Sequence, residues 1–152
     1  MILDLILAVV LVGIVSALLW SYFTAQRLHR LHIRLDAALQ SLQAALDRRA
    51  AVVAAVVSEL AAQARDVEAI RLVHGDMASR ESAERELAAA VDHQNMSSTE
   101  LVDADVRVEL AHRFYNEAVS STRGLRLRPL VKTFRLGGRA PLPDFFQYTS
   151  FL

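Results

Sequence analysis

The sequence has no cysteine, which excludes a disulfide framework and thiolate chemistry. Lysine is nearly missing too: Lys132 stands alone beside 16 arginines. The three prolines, Pro129, Pro141 and Pro143, are confined to the C-terminal end. From Gln26 to Ala64 there is neither glycine nor proline, so nothing in that stretch breaks a helix. The formal net charge is zero, which argues against a general nucleic-acid binder, since those carry a basic excess. There is no nucleophile elbow and no glycine-rich phosphate loop. No catalytic residue and no cofactor is therefore assigned.

What is present is mostly apolar, at 53% of residues, which is high for a soluble domain. The run Leu5–Phe23 carries no charge over 19 residues, about the length that crosses a hydrocarbon core. Trp20 and Tyr22 close it, where amphipathic rings favour the membrane interface. Arg27, Arg30 and Arg34 follow, with nothing basic but the amino terminus before the run. The positive-inside bias then places the N-terminus outside and the rest of the chain in the cytoplasm of a single-pass membrane protein. A cleavable signal peptide would need a basic start and small residues after a shorter core. Asp4 and the Trp20–Phe23 aromatics occupy those places. Gly13 and Ala17 form a small-xxx-small pair that would let two spans pack closely. Charge is segregated beyond the run: residues 24–57 carry net +3, residues 58–117 net −7 and residues 118–152 net +5. Basic ends flanking an acidic middle fit a membrane surface or an acidic partner.

After the span, Leu28, Leu31, Leu35, Leu39, Leu42, Leu46, Ala50, Val53, Val57, Leu60 and Ala64 recur at helical spacing. One rod is expected from the membrane to this stretch, with an interruption at Arg65-Asp66 and a stop at Gly75. A second helix is expected over Ala78–Asp92, capped by Asp76 or Ser79 and carrying Glu81, Glu84 and Glu86 near its positive end. Ser97 and Glu100 have capping-box spacing and open a third helix that runs to Arg123 and ends at Gly124. On it Leu101, Ala104, Val108, Ala111, Tyr115, Ala118 and Val119 share a face, and Leu110 and Phe114 are expected to widen it. Phe114 and Tyr115 read as core; nothing in the pattern accounts for Asn116. The expected class is all-α: a transmembrane anchor over 1–24, a cytoplasmic antiparallel bundle of three to four helices over 25–124, and an irregular basic and aromatic tail over 125–152. That tail, with Phe134, Phe145, Phe146, Tyr148 and Phe151, is expected to pack partly on the bundle. The alternative is an anionic bilayer surface.

Two stretches resemble the LemA family of bacterial membrane-anchored helical proteins. "ELAHRFYNEAV", Glu109 to Val119, is similar to that family's Phe-Tyr-Asn signature. "LQAALDRRAAVVAAVV", Leu42 to Val57, is similar to its helix with paired arginines, here Arg48 and Arg49. The order of span, long helix, Phe-Tyr-Asn helix and proline-containing aromatic tail also fits a divergent, shortened member. The resemblance implies an outside–inside topology, a cytoplasmic helical bundle and no established reaction.

The function expected is a membrane-anchored scaffold. Arg48, Arg49, Arg113 and Asn116 are its candidate contacts to another membrane protein or to itself, and Trp20, Tyr22, Arg27, Arg30 and Arg34 its candidate membrane-interface residues. One alternative is an anionic-lipid binding or remodelling protein. A second is a metal-binding bundle built on Glu109-x-x-His112, a spacing that di-iron carboxylate bundles use in pairs. No second pair occurs, and both residues read as solvated surface. His29-x-x-His32 lies among arginines that oppose a divalent cation and reads as part of a basic collar. Nucleic acid and small-molecule substrates are not expected partners.

Overall fold

The computed structural model describes residues 1–94, 98–128, 142–148 and 150. The first helix, α1, runs unbroken over Ile2–Val56. At the helical rise its 55 residues span about 82 Å. Met1 to Trp20 are all exposed. From Leu28 onward the same helix is the spine of a bundle.

Val57 leaves the helix at φ −115° and ψ 84°, and a 3-10 turn, Ser58–Leu60, leads into α2, Ala61–Ala69. The chain therefore turns eight residues or so earlier than Arg65-Asp66, and both of those residues sit exposed inside α2. Four valines, at 52, 53, 56 and 57, crowd the end of α1, and β-branched residues favour helix less. Turning here also places Val53, Val57, Leu60 and Ala64 in one apolar cluster. The inward residues keep their spacing across the turn, which is why the period masked the break.

α2 runs back along α1: the Leu72 amide donates to Gln43 Oε1 at 2.6 Å, and His74 lies 3.3 Å from Asp36. Gly75 is not a helix stop, since α2 already ends at Ala69. It makes the tight Val73–Asp76 turn at φ 91°, where a side chain would be strained. α3, Ala78–His93, returns upward within one residue of expectation. Its N-cap is Met77, and the Ser79 hydroxyl donates to Asp76 instead of capping. α4, Thr99–Arg126, descends antiparallel to α1. Its cap is Ser98, whose Oγ accepts from the Leu101 amide at 3.2 Å; Ser97 lies outside the described residues. Gly124 does not end α4 but lies inside its last turn.

The result is four antiparallel helices, and no strand occurs among the described residues. The core rises along α1 in three stacked clusters. Leu28 meets Leu125 nearest the apolar end. Leu35, Leu42 and Leu46 meet Val108, Tyr115 and Val119 in the middle. Val53 and Val57 meet Leu87, Val91 and Leu101 at the top. Each such leucine or valine, fully withdrawn from water, contributes about 1.5–3 kcal/mol.

The face expected on α4 is inward as drawn, but Leu110 and Phe114 do not join it. They are 54% and 58% exposed, alongside Val106 at 54%. On the helical wheel Phe114 lies roughly 40° beyond Ala118 and Leu110 farther still. Neighbours cover only the arc that ends at Ala118. Tyr115, by contrast, is fully buried.

Candidate functional site

Three sites draw on the chain's polar residues. The first is a buried ionic network at the level of residue 49. Arg49 and Arg80 have no exposure, and Glu84 and Asp105 have 2% and 3%. Arg49 donates through Nη1 to Asp105 at 2.8 Å and through Nη2 to Glu84 at 2.6 Å. Arg80 donates through Nε to the other Glu84 oxygen at 2.8 Å, and through Nη2 to Asp47 at 3.0 Å. Arg80 also reaches the Ile70 carbonyl, which ties off the end of α2. Burial opposes the charge on Arg49, but the Glu84 carboxylate and the hydrogen bonds to Glu84 and Asp105 hold its pKa above the ordinary value. Charges taken out of water this completely are tolerated only when paired. The network thus fixes how α1, α3 and α4 align. Arg49 faces the interior, whereas its neighbour Arg48 is exposed.

The second site answers what Asn116 is for. Residues 142–150, where described, run as an extended strap along α4, starting beside Arg123 and ending beside Asp105. The Asn116 amide grips the backbone of Phe146 in both directions. Oδ1 accepts from the Phe146 N–H at 3.0 Å and Nδ2 donates to the Phe146 carbonyl at 3.1 Å. His112 Nε2 lies 2.9 Å from that carbonyl and 2.8 Å from Asn116 Nδ2. An imidazole protonated at Nε2 donates to the carbonyl; one protonated at Nδ1 accepts from Asn116. Neighbouring backbone groups are met in the same way. Tyr115 Oη donates to the Asp144 carbonyl at 2.8 Å, Arg123 to the Pro143 carbonyl at 3.1 Å, and the Gln147 amide to Glu81 at 2.7 Å.

An extended segment has no ladder of its own, so its buried N–H and C=O groups need these side chains. The Phe146 ring, 2% exposed, fills the middle cluster. Tyr148 lies under the Arg49 guanidinium, 5.2 Å from its ring centre, and donates to the Asp105 carbonyl at 3.2 Å. The Tyr115 pKa is pushed up to about 12 by burial, with the Asp144 and Glu81 carboxylates adding to it. Tyr148 is raised as well, chiefly by burial and then by its hydrogen bond to Asp105.

His112 is consequently not solvated surface but lies half-buried beneath the strap, while Glu109 turns outward to pair with Arg113. The two do not share a site, and among the described residues no three histidines or carboxylates are placed to hold a metal ion.

The third site lies where the bundle meets the apolar half of α1. A cleft of about 710 Å³ between α1 and α4 is lined by Arg27, Arg30, Leu31, Arg34, Ser121, Gly124, Leu125 and Arg128. Arg27, Arg30 and Arg34 from the basic collar thus meet Arg128, just past the end of α4. Trp20 and Tyr22 lie exposed just beyond, as an interface pair would.

Of the four candidate contacts, Arg48 and Arg113 are outward, and Arg49 and Asn116 are committed to internal bonds. Sequence reasoning passed over Arg80 and Asp105, read Glu84 only as a charge near the positive end of its helix, and placed Phe146 and Tyr148 on the bundle only as part of the tail. A signal did exist for three of them: Arg80 and Glu84 fall in phase with Leu87 and Val91, and Asp105 falls between Leu101 and Val108. A charged side chain at a core position is the mark of a buried pair. No family model matches this chain, and neither a curated protein nor a solved structure does.

Proposed function

We propose that this chain is a LemA-like, single-pass membrane protein of the bacterial cell membrane. Its helical bundle serves as a non-catalytic interaction module on the cytoplasmic side. The anchor reading is supported by α1, long and apolar enough to cross a membrane, with its apolar run exposed. The LemA likeness rests on the sequence of the Phe-Tyr-Asn and paired-arginine stretches alone.

The observation that carries the interaction role is a stripe on α4. Val106, Leu110 and Phe114 stand one turn apart and are each more than half exposed. Single exposed apolar residues need no explanation, but three in register on one helix face make a docking ridge for another membrane protein or a second copy. A photocrosslinking residue placed at Phe114 of the full-length protein in cells is expected to capture a discrete partner band. The same residue at Arg85, on the exposed side of α3, is expected to capture none. Equal, diffuse labelling from both positions would remove the support. The orientation is tested by a reporter fused after residue 152, whose appearance on the exterior would reverse it.

A second reading, binding of anionic lipid, is favoured by the four arginines gathered in the cleft at the apolar end. The metal-binding alternative has no such support, because Arg113 and the strap engage Glu109 and His112 separately.

A further inference from the structure

The cleft between α1 and α4 has a composition that packing does not require. Arg27, Arg30 and Arg34 come from one face of α1, at spacings of three and four, and Arg128 lies two residues past the end of α4. All four are exposed. Among the described residues no carboxylate lines the cleft and none forms an ion pair with these four side chains. Elsewhere on the bundle Arg49, Arg80, Arg107 and Arg113 pair with Asp or Glu, and the exposed arginines without an ion pair among the described residues, Arg48, Arg65, Arg71 and Arg85, do not line this cleft. Four like charges around one concavity repel each other and draw an anion in. Ser121 adds a hydroxyl to the wall. Gly124 lies on the same wall, with open space where a β-carbon would stand. Glycine inside a helix carries a cost with no packing reason here.

We propose that this cleft is a binding site for a phosphate oxyanion presented by an anionic membrane lipid. The chemistry is that of guanidinium forks on phosphate oxygens. The lipid source is argued from height. Arg27 lies four residues past Phe23, about 6 Å along the helix, and Arg30 about 10 Å. The headgroup layer of each leaflet is roughly 5–7 Å deep, and long arginine side chains reach back toward it. A phosphate of the inner leaflet therefore sits at the mouth of the cleft. Phosphatidic acid and phosphatidylglycerol carry that phosphate without a neutralising cation; phosphatidylcholine does not. The inference rests on α1 spanning the bilayer.

The test uses the full chain in nanodiscs of phosphatidylcholine with a minor fraction of phosphatidic acid, followed by detergent extraction and native mass spectrometry. The wild type is expected to retain one phosphatidic acid per chain in preference to phosphatidylcholine by about tenfold or more, the scale of one charge-assisted bond. Arg30→Gln with Arg128→Gln is expected to lose that preference. Arg48→Gln with Arg107→Gln, which removes two charges far from the cleft, is expected to keep it. Both pairs are surface changes, and unchanged helical circular dichroism checks that each variant is folded.

Equal retention of the two lipids by the wild type overturns the proposal, and so does an equal loss in both variant pairs. Displacement of the lipid by inorganic phosphate at matched concentration overturns the lipid assignment in favour of a soluble phosphate. A chain that fails to incorporate into nanodiscs at all refutes the anchor instead, so the two failures are told apart.

Discussion

If Asn116 exists to hold the strap, its loss and the loss of Phe146 cannot be independent. Asn116→Ala removes two hydrogen bonds to the Phe146 backbone, each contributing about 1 kcal/mol, so the expected loss is about 2 kcal/mol. Phe146→Ala empties a site that is 2% exposed and costs about 3–5 kcal/mol. Once the ring is gone, the strap has little reason to stay where Asn116 can grip it. The double variant is therefore expected to lose about 4–5 kcal/mol rather than the roughly 5–7 of simple addition, a coupling of about 1–2 kcal/mol. Denaturant titration of the full chain in detergent measures the cycle. Hydrogen exchange at the Phe146 amide reports the clamp directly, and Asn116→Ala is expected to speed it far more than exchange at Val53. Strict additivity would refute the reasoning, as would a Phe146 amide that exchanges freely in the wild type.

Four further outcomes are expected. Arg49→Met leaves Asp105 buried without its cation and Glu84 with Arg80 alone, and is expected to cost about 3–5 kcal/mol by thermal or chemical denaturation, whereas Arg48→Met changes stability by less than about 0.5 kcal/mol. Tyr115 has a folded pKa above its unfolded value, so its contribution is complete below about pH 10 and is lost as pH rises towards about 12; Tyr115→Phe is expected to shallow that alkaline limb. Gly124→Ala, with open space around the new methyl group, is expected to stabilise by about 0.5–1 kcal/mol, whereas Gly75→Ala, at φ 91°, is expected to destabilise by about 1 kcal/mol. Leu110→Gln with Phe114→Gln is expected to leave the denaturation midpoint nearly unchanged while abolishing the crosslinked partner band.

The helical spacing in the sequence was enough to place the inward face of α1 and of most of α4, because period survives changes in where a helix stops. Boundaries were less legible. The turn at Val57 has no glycine, proline or polar cap to mark it, and it is selected by what Val57 and Leu60 gain together in the upper cluster. Phe114 was misplaced because residue type is silent about how far round a helix its neighbours extend. Asn116 stood out as unexplained by local pattern, and rightly so, since its partner is 30 residues away in a segment with no regular structure. The buried ions were readable in principle from their phase with the core, but pairing Arg49 with Glu84 and Asp105 needs the topology first.

The absence of any hinge between Phe23 and Val56 makes α1 a lever. About 50 Å of stiff helix separates the apolar run from the upper cluster, and the bundle is bolted to its far half. In a bilayer, a thinner hydrocarbon layer is met by greater tilt, and a further 10° sweeps the tip sideways by about 9 Å. The docking ridge on α4 rides on that arm, so membrane thickness alone would set how far from the anchor it searches.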